Sequence, residues 1–201
     1  MNKYYKFWEN NAKKYARSPV FEQVLSFFEG KTLNILEIGC SRRLEIEGNN
    51  DFIRGDGGSS FFWADYVNKF DGSLQIVDVS EEALNNCKTL LSDFIPNSNI
   101  SFFYGDGKNY INESFDLIFL DGSDSPVEAL IQFNKINSQN TSVLLDDFHT
   151  KGRIIKQNNK NAIIFRVNQE GHEMGFYPSQ NLIDISTELK NFLEKHSILK
   201  C

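Results

Sequence analysis

The sequence is short of most residues and patterns that mark the easily recognised classes of protein. Its three cysteines, Cys40, Cys87 and Cys201, are odd in number and far apart. They have neither the paired spacing of a zinc site nor the even count of a disulfide framework, so reduced thiols in a cytoplasmic protein are expected. Positive charge is in deficit, with 21 Lys and Arg against 27 Asp and Glu and a formal net charge of −6. Basic residues are scattered apart from short pairs such as Arg42-Arg43, and a field of this sign repels polyanions, so no nucleic-acid partner is expected. No apolar run approaches the about 20 residues that a membrane-spanning helix needs. The aromatic start Tyr4-Tyr5-Lys6-Phe7-Trp8 is soon interrupted by Glu9 and polar residues, so it has no signal-peptide core, and no membrane partner is expected. Gly-Lys-Ser and Gly-Lys-Thr are missing, and no Gly-x-Gly-x-x-Gly directly follows a strand, which removes the common phosphate-cradling loops. There is no internal repeat, and the amide-rich Gln157-Asn158-Asn159-Lys160-Asn161 reads as a loop.

What is present is a regular alternation of short apolar runs and helical stretches. Leu33-Asn34-Ile35-Leu36-Glu37-Ile38-Gly39 is too short for a helix and too continuously apolar for a strand with one wet face, so it reads as a buried parallel strand. A polar excursion from Ser41 to Asp56 follows, then Gly57-Gly58-Ser59-Ser60 and a helix to about Phe70. Further strands are read at Leu74 to Asp78, Ile100 to Tyr104, Phe115 to Asp121 and Ser142 to Asp147. Between them lie helices that start at Ser80 and at Ser125-Pro126, each with a cap residue in place. Upstream, residues 2 to about 17 form a first helix, and Ser18-Pro19 opens a second with Ser18 as its cap, which Gly30 ends. Their aromatics either cover an edge of the sheet or wall a substrate site. Downstream, Ala162 to Val167 and His172 to Tyr177 pair as a hairpin around Asn168 to Gly171, and one helix runs from Leu182 to Leu199. The fold expected is α/β, Rossmann-like and doubly wound, with a mostly parallel seven-stranded sheet, a C-terminal antiparallel hairpin and helices on both faces. One domain accounts for the 201 residues, with 1–30 as an N-terminal helical segment, 31–178 as the core and 179–201 as a C-terminal helix.

Each of the first five strands ends in or runs straight into an acid: Glu37, Asp78, Asp106, Asp121, and Asp146 with Asp147. In an open α/β sheet the carboxyl ends share one edge, where ligands bind, so these acids should converge. Carboxylates crowded in one crevice repel unless cations, hydroxyl donors or protons compensate them. Each also has a plain structural reading, in which Glu37 satisfies its own turn, Asp78 and Asp106 shape turns or caps, and the Asp146-Asp147 pair caps a helix.

Leu36-Glu37-Ile38-Gly39, with the order of acids behind it, resembles the first motif and the layout of class I S-adenosylmethionine-dependent methyltransferases over roughly residues 33 to 147. In that family the glycine cluster follows at once, whereas here Ser41 to Asp56 intervenes. The resemblance implies a cofactor site made by Glu37, Gly39, Cys40, Gly58, Ser59, Ser60, Asp78, Val79, Asp106, Gly107 and Asp121. It gives Asp78 the ribose hydroxyls and puts Asp106 near the adenine amino group. Leu120-Asp121-Gly122 and Leu145-Asp146-Asp147 are similar to the metal-dependent small-molecule O-methyltransferases, most of all those that methylate sugar hydroxyls. That likeness implies a divalent metal, Mg²⁺, on Asp121, Asp146 and Asp147, with Asp124 as an alternative ligand.

The resulting expectation is methyl transfer from S-adenosylmethionine to a hydroxyl of a small acceptor, with Asp121, Asp147 and His149 as catalytic residues. His172 and His196 have no supporting neighbours in the sequence. Aminopropyl transfer on the same scaffold and a non-catalytic cofactor-binding protein are the alternatives. The aromatic N-terminal segment, the 41–56 insertion and the loop after Phe148 are the expected sources of acceptor choice, and no oligomeric state is implied.

Overall fold

The computed structural model of the chain describes residues 3–12, 15–46, 58–94, 99–158, 162–167 and 172–195. Gly55 to Gly57, most of the expected insertion, the hairpin turn at 168–171, the end of the amide-rich stretch, His196 and Cys201 lie outside the described residues. Strands β1 (Asn34–Ile38), β2 (Ser73–Asp78), β3 (Asn99–Tyr104), β4 (Leu117–Leu120) and β5 (Ser142–Leu145) alternate with helices α3 (Ser59–Lys69), α4 (Glu81–Leu90) and α5 (Pro126–Phe133). Helices α1 (Lys3–Asn11) and α2 (Ser18–Ser26) precede them. Helix α6 (Phe148–Asn158), strands β6 (Ile163–Arg166) and β7 (Glu173–Tyr177), and helices α7 (Gln180–Ile185) and α8 (Thr187–Lys195) follow.

The seven strands form one sheet in the order β3-β2-β1-β4-β5-β7-β6. The first five are parallel to their neighbours, and β7 is antiparallel to both β5 and β6, as the sequence predicts. The order reverses between β2-β1 and β4-β5, so the carboxyl ends of β1 and β4 flank a crevice.

Alternation along the strands divides the core. Ile35, Leu74, Leu117, Phe119 and Leu144 face one side, with α1, α2 and α3, while Leu36, Ile38, Ile118, Leu120, Val143 and Leu145 face the other. The first side is aromatic, with Phe21 edge-on to Trp63 at 4.9 Å and to Phe119 at 5.6 Å, and Trp8 stacked on Phe61 at 5.5 Å. Trp8 and Phe21 of the N-terminal segment therefore help to cover the sheet.

Three local expectations are corrected. Ser18 lies inside the first turn of α2 and donates its hydroxyl to the Ala12 carbonyl, so it is not the cap. The C-terminal stretch is broken at Ser186, whose extended backbone ends α7 and whose hydroxyl accepts from the Leu189 N–H to start α8. The loop expected after Phe148 is helix α6. Its Gly152 has no room for a side chain, because an added Cβ would lie 2.1 Å from the Phe148 ring, and at Gly175 of β7 it would lie 2.2 Å from the same ring. Phe148 therefore fills a slot between two glycines and seats α6 against β7.

Candidate functional site

Two adjoining cavities open at the carboxyl ends of the strands. One, of about 270 Å³, is lined by residues that include Arg17, Cys40, Asp121, Asp124, Asp146 and Asp147. The other, of about 220 Å³, is lined by residues that include Ile38, Val77, Asp106, Gly107 and Gln132. Gly39, Asp78, Val79, Gly122 and Ser123 belong to both.

Asp78 ends β2 at this junction. Its Oδ1 accepts from the Ser80 N–H at 2.8 Å and its Oδ2 from the Cys40 N–H at 3.2 Å, which fixes the carboxylate and leaves lone pairs for a ligand. Gly39 turns the chain after β1 with φ of +86°, and an added Cβ would lie 2.8 Å from the backbone of Asp121 and Gly122. Val79 is 65% exposed at the shared wall, an apolar side chain with nothing over it. Asp106 caps the single-turn helix Gly107–Asn109 and pairs with the Lys108 ammonium at 2.6 Å, as its structural reading has it, and it lines the second cavity. Gly107 is pressed on Ile38, where an added Cβ would meet Cγ2 at 2.3 Å.

Glu37 departs from the expected convergence. It shares the aromatic side of the sheet with Ile35, is fully buried and lines neither cavity. The Ser59 hydroxyl donates to its Oε1 at 2.6 Å, while the Ser60 hydroxyl accepts from the Ser41 N–H at 3.3 Å. Gly58, Ser59 and Ser60 are buried and also lie off both cavity linings. These four residues latch the start of α3 to the end of β1, with Gly58 supplying a left-handed turn at φ of +54°. Burial pushes the Glu37 carboxyl up to about 8, against the pull of Ser59 and Ser60.

Asp121, Asp146 and Asp147 do converge, each offering an oxygen within 4.8 Å of the others. Sequence reasoning missed the cations that meet them. Arg17, from the α1–α2 connection, donates from Nε to Asp146 Oδ1 at 2.8 Å and approaches Asp147 Oδ1 with Nη2 at 3.5 Å. Lys151 of α6, only 1% exposed, donates from Nζ to Asp121 Oδ1 at 3.2 Å and lies 3.9 Å from Asp147 Oδ2. A third of the Asp121 side chain still reaches solvent. Burial pushes its carboxyl upward and the Asp146 charge adds to that, while Lys151 and Arg17 pull it down.

The residues do not fit a magnesium ion held by all three carboxylates. Two fixed cations already hold Asp121 Oδ1 and Asp146 Oδ1 and flank both oxygens of Asp147, so a hard divalent ion among them would face like charge at close range. Asp124 lines the cavity but is not part of the three-carboxylate cluster. His149 sits in the first turn of α6 and lines neither cavity; its ring is edge-on to His172, with centroids 5.2 Å apart.

No family model matches the chain. No curated protein matches it either. Solved structures do. The bifunctional kinase-methyltransferase WbdD superposes with a TM-score of 0.56 at 14% identity, covering 81% of this chain and 40% of its own. The chain thus spans about two fifths of the length of WbdD. A methyltransferase from Geobacter sulfurreducens gives 0.55 at 12% identity, covering 89% of this chain and 90% of its own. An RNA methyltransferase from Salinibacter ruber, solved with S-adenosyl-L-homocysteine, gives 0.51 at 13% identity over 80% of this chain and 90% of its own. The chain has the class I methyltransferase fold. Among the described residues no helix is long and apolar enough to cross a membrane.

Proposed function

We propose that the protein is an S-adenosylmethionine-dependent methyltransferase that methylates a hydroxyl of a small molecule. The observation that carries this reading is Asp78, a carboxylate pinned by two backbone N–H groups where two cavities meet. A carboxylate so placed suits a vicinal diol, and the exposed Val79 beside it suits the face of a flat base. Asp78 would hold the ribose hydroxyls, Val79, Asp106 and Gly107 the adenine side, and Gly39, Cys40 and Asp121 the other end of the cofactor. When bound, S-adenosylmethionine supplies an electrophilic methyl group on a sulfonium.

The acceptor would enter the cavity walled by Arg17, Asp121, Asp146 and Asp147. Asp121, whose carboxyl is pushed upward by burial and by Asp146, takes the proton that the acceptor hydroxyl loses. Lys151 holds the receiving carboxylate in place from 3.2 Å. Arg17 fixes Asp146 through a charge-assisted hydrogen bond at 2.8 Å. Magnesium assistance is left out of this reading because Arg17 and Lys151 stand where its charge would act. His149 is likewise left out as a base, since it lies off the cavity lining. In this reading the chain works as one domain.

Calorimetry with S-adenosylmethionine and S-adenosylhomocysteine tests the proposal. The parent should bind one molecule per chain, and Asp78→Ala should weaken binding by roughly 10- to 100-fold, the worth of hydrogen bonds to a charged group. A parent that takes up neither molecule sinks the reading. Transfer of labelled methyl to an added polyol or phenol then separates methyl transfer from aminopropyl transfer and from simple cofactor binding.

A further inference from the structure

The antiparallel register of β5 and β7 sets Leu145 level with Gly175. The helix that follows β5, α6, packs against β7, so the chain just before β7 comes close to the start of α6. That packing brings His172 to Asp147 and His149. His172 Nδ1 is 3.6 Å from Asp147 Oδ1, and the two imidazoles meet edge to face. One ligand atom from each of Asp147, His149 and His172 lies within 4.8 Å of the other two. His149 Nδ1 is shielded from solvent and makes no hydrogen bond. A shielded ring nitrogen without a partner is costly unless a ligand takes it up.

We propose that Asp147, His149 and His172 bind a transition-metal ion of the zinc type. Two imidazoles and one carboxylate suit Zn²⁺ and the neighbouring borderline ions, where an all-oxygen set would select Mg²⁺. Three protein ligands leave a coordination position open. Asp147 is the carboxylate best placed to act as a ligand, because its contacts with Arg17 and Lys151, at 3.5 and 3.9 Å, are longer than hydrogen bonds. Asp146 and Asp121 are held more tightly, at 2.8 and 3.2 Å. Asp147 also lines the larger cavity, so the ion would sit at its wall.

Titration of the full chain with Co²⁺, followed by visible absorption, and with Zn²⁺, followed by calorimetry, tests this directly. The parent should take up one ion per chain, with tetrahedral or five-coordinate Co²⁺ bands, and excess Mg²⁺ should not displace it. His149→Ala and His172→Gln should each weaken uptake at least about tenfold, the lower bound for losing even an outer partner of a metal site. Asp121→Asn should leave uptake within about twofold, since that residue is outside the donor set. Thermal unfolding of each variant separates a lost ligand from a lost fold, and His172→Gln, at a partly exposed position, keeps the test usable should His149→Ala not fold. A folded parent that binds S-adenosylhomocysteine but neither Zn²⁺ nor Co²⁺ overturns the metal site and leaves the methyltransferase reading standing. Uptake that survives both histidine variants but vanishes in Asp121→Asn overturns it too, by placing the ion on the carboxylates.

Discussion

Arg17 Nε donates to Asp146 Oδ1 at 2.8 Å across 129 positions of the chain, and so fastens the α1–α2 connection to the rim where β5 ends. The Asp146 side chain is only 5% exposed, so removing its partner leaves a carboxylate stranded out of water. Arg17→Gln should lower unfolding free energy by about 3 kcal/mol, as for other pairs broken from one side. Urea denaturation measures it, and a loss below about 1 kcal/mol would mean that water screens the pair.

Gly39→Ala should fail on two counts. Its φ of +86° disfavours any Cβ, and that Cβ would sit 2.8 Å from the backbone that follows β4. A loss of about 2 kcal/mol or more is expected from strain alone. Cofactor binding should weaken with it, since the displaced backbone carries Asp121 and Gly122. Unfolding curves beside calorimetry with S-adenosylhomocysteine separate the two effects, and a Gly39→Ala variant as stable as the parent would contradict the geometry.

Glu37 makes the folded state prefer the protonated carboxyl, up to about 8 against 4.5 for the free group. Between those values the unfolded chain binds fewer protons at this residue than the folded one, so its contribution to stability falls as pH rises. Glu37→Gln keeps an acceptor for Ser59 and cannot ionise. The variant should therefore gain on the parent by about 1 kcal/mol per pH unit between roughly pH 5 and 8. Denaturation at pH 5.5 and 7.5 reads this out, and a constant difference between variant and parent would place the Glu37 titration elsewhere.

Lys151 holds a positive charge 3.2 Å from Asp121 and thereby favours its ionised form. Lys151→Met removes that charge, so the Asp121 carboxyl moves up. If Asp121 takes the acceptor proton, the rising acid limb of kcat should shift to higher pH by about 1 unit or more. An unmoved limb in a folded variant would take Asp121 out of that role.

Much of this arrangement is readable before any coordinates. Parallel strands covered on both faces must be short continuous apolar runs, so β1, β4 and β5 stand out, and Asp121, Asp146 and Asp147 after β4 and β5 mark the edge where the larger of the two adjoining cavities opens. The orientation of Glu37 was also available, because the period of two puts it on the face of Ile35, away from Leu36 and Ile38. Lys151 falls four residues after Asp147, a spacing with meaning only on a helix, and Gly152 argues against one until Phe148 is seen to need the space. His172 meets Asp147 and His149 because α6 packs against β7, which is known only once the hairpin is placed. Arg17 carries no local signal at all. Its partner is brought to it by the packing of α2 on the sheet, a long-range event that no window of sequence contains.

The Phe148 ring wedged between Gly152 and Gly175 makes the rim intolerant of bulk from behind. Any side chain at either glycine would shove the wedge forward, and the adjoining Asp147 and His149 would be carried along. Enlarging one of two distant-looking glycines should therefore detune the chemistry at the mouth before it loosens the sheet beneath.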